Sequence, residues 1–170
     1  RGVFDGNGVT LSGLTLGGEV SSSNKYFGLF RHTLNATIKN LSLTGGTLTL
    51  TNTDTAVDYE MFAAPLVSNA QYTEISGCTV SVPIDTAALS AVTTSYPRFC
   101  IGGIVGNAVA LNIHDCTATN TVTLGALSGS SYASPMYLSV GGIIGGSQGS
   151  DEVTASRCVR AGALTSTLES

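Results

Sequence analysis

One glycine-rich segment occurs twice in this chain and decides its fold: IGGIVG at residues 101–106 and VGGIIG at residues 140–145. Weaker copies, in which other small or apolar residues replace glycines, are YFGLF at 26–30 and FAAPLV at 62–67. A short segment containing Leu or Cys follows each copy, as TIKNLSL at 37–43, EISGCTV at 74–80, NIHDCTA at 112–118 and TASRCV at 154–159. Self-similarity at periods of 20 to 50 residues is typical of solenoid proteins.

The spacing of the repeats comes from one position in these short segments. We align TLSGLTL at 10–16 with them as a first copy without a glycine segment. The equivalent residues are then Leu14, Leu41, Cys78, Cys116 and Cys158, at steps of about 27, 37, 38 and 42 residues. The extra residues follow the Leu or Cys strand, so we expect them to form loops on one face of a solenoid.

Alternation of apolar and polar residues indicates what each repeat contains. The pattern around Ile38, Leu41 and Leu43 has a period of two, as in half-buried strands, and no helical stripe is sustained. Each unit therefore holds about three short strands. We predict a right-handed parallel β-helix of about five short turns, with an antiparallel β-sandwich as the alternative. At Gly102-Gly103 and Gly141-Gly142 we expect tight corners with positive φ.

The whole chain is interpreted as one domain, residues 1–170, cut from a larger protein. Approximate repeat boundaries place the units at 1–25, 26–61, 62–99, 100–138 and 139–170. We expect flanking domains or capping segments in the full protein, because the ends of a solenoid leave strand edges open.

Composition excludes several classes of function. The chain has 170 residues, of which 42% are hydrophobic and only 11% charged, and its net charge is −4. Nucleic-acid binding requires a cluster of Lys and Arg, and only Arg157 and Arg160 lie close together. No apolar run approaches the roughly 18 residues of a membrane span, so this segment is not expected to cross a membrane.

The repeated segments carry a family resemblance. G-G-[IV]-[IV]-G followed by I-x-[ND]-C resembles the GLUG-type repeats of bacterial surface proteins, and FDGNGVTLSGL at 4–14 resembles the segment often found before them. The resemblance implies a pectate-lyase-like β-helical region of a large secreted or cell-surface, adhesin-like protein. It brings no shared catalytic motif.

The cysteines are interpreted as packing residues. Cys78, Cys116 and Cys158 share a position that Leu41 occupies in another repeat, which indicates a small buried apolar group. We therefore expect a ladder of free, stacked thiols, with a disulfide between neighbouring turns or a metal site as the alternatives. Cys100 precedes a Gly-Gly corner and is expected to be partly exposed.

The acidic residues offer weak candidates for catalysis or cation binding. Asp54, Asp58 and Glu60 lie close together in one insert, and Asp151 precedes Glu152 in another. Glycoside hydrolysis requires two carboxylates about 5 to 10 Å apart, and a solenoid does not align these acids on adjacent turns. We interpret them as solvated loop charges, with a weak cation site at Asp54, Asp58 and Glu60 as the alternative. We predict no catalytic residue, no resident metal and no cofactor.

The tyrosines of the inserts are the candidates for ligand contact: Tyr59, Tyr96, Tyr132 and Tyr137. Tyrosine provides a large contact area at a small cost in side-chain entropy. We predict a non-catalytic structural or adhesive segment of an exported bacterial surface protein, located outside the cell, that contacts a surface protein or a glycan. The alternative is a carbohydrate-active β-helix enzyme, a lyase or hydrolase, or its remnant. The ring of His114 is expected to point outward, because Ile113 and Cys116 face the core.

Overall fold

The computed structural model of the chain describes residues 2–21, 23–52, 60–89, 98–125 and 137–166. These ranges contain β-strands and no helix. The strands are β1 Gly2–Ser12, β2 Thr15–Glu19, β3 Tyr26–Phe27, β4 Phe30–Leu34, β5 Ala36–Thr44, β6 Thr47–Thr51, β7 Glu60–Ala63, β8 Val67–Ser76, β9 Thr79–Ser81, β10 Ile84–Ala88, β11 Arg98–Gly102, β12 Val105–His114, β13 Thr117–Ala118, β14 Val122–Leu124, β15 Tyr137–Gly141, β16 Ile144–Ser147, β17 Val153–Ser156, β18 Val159–Arg160 and β19 Leu164–Ser166.

The strands stack into three parallel sheets. A four-stranded sheet has the order β15-β11-β7-β3, and a five-stranded sheet has the order β19-β14-β10-β6-β2. The remaining strands form the long sheet, in which β12 pairs with β8, β16 and β17, and β1 pairs with β5. Each strand pairs with its equivalents one turn away, so the chain is a β-solenoid of about four turns.

This architecture confirms the predicted parallel solenoid over the sandwich. Every pairing between the named strands is parallel, whereas a sandwich of hairpins requires antiparallel pairs. A single antiparallel bridge, between Ser21 and Asn24, lies outside the named strands of the described residues.

Ladders of identical or similar apolar side chains fill the interior. Ile38, Ile75 and Ile113 are in register on consecutive turns of the long sheet, and all three are buried. A second ladder includes Leu48 and Ile84 in the five-stranded sheet. Burying each such side chain contributes about 1.5 to 3 kcal/mol, which explains why an alternating sequence with few charges folds into this stack.

The register corrects the first step of the repeat. Ser42 pairs with Thr79, Thr79 with Thr117 and Thr117 with Val159, which confirms steps of 37, 38 and 42 residues. The alignment of Leu14 with Leu41 is wrong, because Val9 pairs with Leu41. The error arises from a bulge between Asp5 and Val9, which adds residues to the first turn that a fixed repeat pattern cannot show.

The glycine corner, residues 102–106 and their equivalents 141–145, joins the four-stranded sheet to the long sheet. None of its glycines has a positive φ, so the predicted reason for them is wrong. They are needed because backbones approach too closely for a side chain. A Cβ on Gly102 would lie 1.8 Å from the Val105 carbonyl oxygen, and one on Gly103 would lie 2.0 Å from that of Gly142 on the next turn.

Positive φ occurs instead at two bends within the long sheet. The first bend is stacked from Asn35 (φ 50°), Tyr72 (48°) and Ala110 (52°). The second bend comes just before the Leu or Cys position, at Asn40 (φ 55°), Gly77 (59°), Asp115 (56°) and Arg157 (50°). We call these the left-handed bends. The [ND] of the sequence motif thus reflects the tolerance of Asn and Asp for this conformation.

Candidate functional site

An open groove of about 710 Å³ runs along the outer face of the long sheet beside the first left-handed bend. Its wall is built from equivalent positions of successive turns, because β1, β5, β8, β12 and β17 are in register there. The row that results contains Val3, Thr37, Glu74, Asn112 and Thr154. The volume lies within the 300 to 1,000 Å³ typical of small-molecule sites.

Tyr72 lines the groove and presents its ring to solvent. The residue is 53% exposed and adopts a left-handed backbone conformation. Its hydroxyl donates a hydrogen bond to Asp151 Oδ2 at 3.0 Å, across two turns of the solenoid. This bond raises the pKa of Tyr72 and fixes the direction of the side chain.

Charged side chains beside the groove form a chain of contacts across three turns. His114 Nε2 lies 3.4 Å from Glu74 Oε1, and His114 Nδ1 lies 2.8 Å from Asp115 Oδ2. Arg157 Nη2 donates to Asp115 Oδ2 at 2.7 Å, alongside a second bond from Nε. Arg157 and then His114 hold the pKa of Asp115 well below its usual range, while Asp115 and Glu74 raise the pKa of His114.

The arrangement also confirms the outward ring predicted for His114. Its neighbours Ile113 and Cys116 are buried, whereas the His114 side chain reaches the carboxylates of the outer face. A neighbouring bond from Thr154 to Asn112 Oδ1, 3.0 Å long, ties the last two turns at the groove wall.

The cysteine ladder lies on the opposite, inner side of the same sheet. The described structure contains all four cysteines as free thiols, which confirms the predicted ladder over a disulfide. Thr117 N donates to the Cys78 carbonyl and Val159 N to the Cys116 carbonyl, so Cys78, Cys116 and Cys158 stack turn on turn. The Cys78 sulfur raises the pKa of Cys116, and burial adds to this rise.

Cys100 corrects one expectation. It is fully buried instead of partly exposed, and burial raises the pKa of its thiol. The physical reason is the glycine corner of the next turn: a Cβ on Gly146 would lie 2.7 Å from the Cys100 sulfur, so the bare backbone there covers the thiol.

The predicted cation site lies only partly within the described residues. Asp54 and Asp58 fall outside them, whereas Glu60 is the first residue of β7. The Glu60 carboxylate accepts a hydrogen bond of 2.7 Å from Gln148 Nε2, and Arg98 Nη1 lies 3.9 Å from it. In the described ranges, no group of three or more His, Cys, Asp or Glu could hold a metal ion.

The predicted contact tyrosines are also divided. Tyr59, Tyr96 and Tyr132 lie outside the described residues. Tyr137 begins β15 and is 55% exposed. Of the acids interpreted as solvated charges, Asp151 accepts the Tyr72 hydroxyl and Glu152 lines the groove.

Sequence reasoning missed Tyr72 and Glu74 as site residues. It searched the inserts, whereas both residues lie within β8. The available signal was the alignment of the repeats, in which Tyr72 falls opposite Asn35, since Asn35 N bonds to the Gln71 carbonyl. A tyrosine at a position suited to asparagine is unexpected on structural grounds alone.

The glycine corner and the motif around Cys116 belong to a single turn, β11 to β14. The GLUG motif family matches residues 98–123. The match therefore covers one full turn, from the four-stranded sheet through the long sheet into the five-stranded sheet, and agrees with the resemblance read from the repeats. No curated protein and no solved structure matches the chain. The described residues contain no helix able to cross a membrane.

Proposed function

We propose that the chain is a non-catalytic structural and adhesive segment of an exported bacterial surface protein, which contacts a protein or a glycan. The observation that carries this proposal is the parallel stack itself. It holds an open groove on one face and joins the five-stranded sheet to the four-stranded sheet through connections of unequal length. A stack that is rigid in its ladders and variable in its connections supports recognition at the surface.

The surface chemistry fits a contact surface exposed to solvent. Hydroxyl and amide side chains, with few charges, line the groove and the outer rows. Tyr72 and Tyr137 are both more than half exposed, and tyrosine is enriched where proteins contact partners. The GLUG match supports a location outside the cell by resemblance only.

One observation favours the enzyme alternative. Glu74 and Glu152 line the same groove, and glycoside hydrolases use two carboxylates that flank the scissile bond. Against it, His114 contacts the Glu74 carboxylate, and the wall around it carries no Lys, Arg or His among the described lining residues to act as a proton donor or base.

The experiment exposes the immobilised chain to a panel of glycans and extracellular-type proteins and records both retained ligand and released sugar ends. We expect retention without release. A quadruple variant, with Tyr59, Tyr96, Tyr132 and Tyr137 replaced by Ala, should lose affinity for a protein partner bound at the loops.

Two results would contradict the proposal. Release of reducing or unsaturated ends that disappears in Glu74→Gln would make the chain an enzyme. Retention of no ligand of either kind would remove the adhesive role and leave a purely structural segment.

A further inference from the structure

Tyr72 combines two properties that the fold does not require. Its left-handed φ of 48° costs an L-residue about 1 to 2 kcal/mol, and the equivalent Asn35 occupies the same bend without a bulky side chain. Its ring is exposed, so it gains no burial energy that would offset the strain. Strained residues concentrate at ligand sites, where the strain is retained for function.

The ring is held in place before any ligand arrives. The hydrogen bond from the Tyr72 hydroxyl to Asp151 links the third turn to the fifth, so the ring bridges the groove instead of rotating freely. An aromatic face fixed in this way provides a stacking surface at little entropic cost on binding.

Hydrogen-bonding groups lie along the groove at a regular spacing. Thr37, Glu74, Asn112 and Thr154 are in register on consecutive strands, which are about 4.8 Å apart. Hydroxyl, carboxylate and amide groups together offer both donors and acceptors along one line. A linear ligand with many hydroxyls can satisfy such a row, whereas a peptide would seek the edge of a sheet and not its face.

Charge restricts the ligand further. Glu74 and Glu152 line the groove, and Asp151 binds the ring that crosses it. The described lining contains no Lys or Arg to offset these carboxylates, and the whole chain carries a net charge of −4. An anionic glycan would therefore be repelled, and a neutral one would not.

We infer that this groove binds a neutral, linear oligosaccharide, stacked on the Tyr72 ring and hydrogen-bonded along the row from Thr37 to Thr154. The inference rests on the proposed glycan contacts and specifies where they occur and which glycan class makes them. The sugar lies parallel to the solenoid axis, because the row that it follows runs from turn to turn.

The test titrates the chain with neutral β-linked glucose and xylose oligosaccharides of two to six units, using calorimetry. Tyr72→Gly removes the ring and suits the left-handed φ, so the variant should fold with an unchanged or higher melting temperature. We expect its affinity to fall about tenfold, the value of one aromatic contact. The matched control is Asn40→Gly, which changes another left-handed residue outside the groove and should bind as the wild type does.

Several results would overturn the inference: unchanged affinity in Tyr72→Gly, an equal loss in Asn40→Gly, tighter binding of galacturonate oligomers, or no binding of any neutral oligomer. Failure here remains distinct from failure of the proposed function. Ligands that are retained through the loop tyrosines alone would preserve the adhesive role without the groove. Binding at Tyr72 with release of sugar ends would preserve the groove and remove the non-catalytic assignment.

Discussion

The glycine corner and the left-handed bends both turn the chain once per solenoid turn, yet they constrain sequence in different ways. At Gly102 and Gly103 any Cβ collides with a carbonyl oxygen about 2 Å away. At the bends the space is open and the difficulty is the sign of φ, so Asn, Asp, Arg, Tyr and Ala all occur there. A position limited by space accepts one residue type, whereas a position limited by conformation accepts many at a modest cost.

The largest expected effect is at the glycine corner. Gly103→Ala places a Cβ 2.0 Å from the Gly142 carbonyl oxygen, which belongs to backbone and cannot rotate away. We expect a loss of about 3 kcal/mol in the free energy of unfolding, measured by urea denaturation. Gly2→Ala is the control, since nothing lies within 4 Å of its Cβ, and it should change stability by less than about 0.5 kcal/mol. Equal stability of the two variants would show that the corner can relax.

A smaller loss is expected at the second left-handed bend. Gly77→Ala forces an L-residue to φ 59°, and its Cβ would meet only the flexible Asn40 Oδ1. The expected cost is about 1 to 2 kcal/mol. Gly77→Asn should cost less than Gly77→Ala, because Asn tolerates this region. If Asn proved as harmful as Ala, space and not conformation would limit this bend as well.

A gain in stability is expected at the first bend. Ala110→Gly relieves a φ of 52°, and this relief exceeds the extra entropy that glycine gains in the unfolded chain. We expect a gain of about 0.5 kcal/mol in thermal or urea unfolding. Ala155→Gly in β17 is the comparison and should lose about 0.5 to 1 kcal/mol, since its φ is not positive. Losses in both variants would argue that Ala110 is not strained.

The smallest effect concerns the charges beside the bend. Asp115 and Glu74 raise the pKa of His114 above its ordinary 6.5, so the protonated ring stabilises the fold. That contribution is complete below the unfolded pKa and is lost as the pH rises through the raised folded value. The melting temperature should therefore fall slightly from pH 6 to pH 8 in the wild type, and this fall should disappear in His114→Gln. An identical pH profile in both proteins would exclude the contribution.

The fold was predictable because period-two alternation and the repeated GG segment act through local geometry and ladder stacking. The parallel solenoid, the later repeat steps and the free cysteine ladder follow from these patterns. The reason for the corner glycines was not predictable, since their close contacts join residues on different turns. The bulge after Asp5 and the burial of Cys100 have the same cause: both depend on what the neighbouring turn places opposite.

The candidate site was less accessible to sequence reasoning. Tyr72, Glu74 and Asn112 are unremarkable strand residues until the register brings them into one row. The bond between Tyr72 and Asp151 joins residues 79 positions apart, which no short motif reports. Residues that change function through stacking are visible only when the turns are superposed.

The connections from the five-stranded sheet to the four-stranded sheet hold nearly all of the length variation between turns. They comprise 6, 8, 9 and 12 residues, from β2–β3 to β14–β15, while the strands on both sides keep their pairing. Segments can therefore be lengthened or exchanged at this single edge without shifting any ladder. The chain behaves as a display scaffold with several independent insertion points, and one recognition segment could be evolved or engineered while its neighbours stay unchanged.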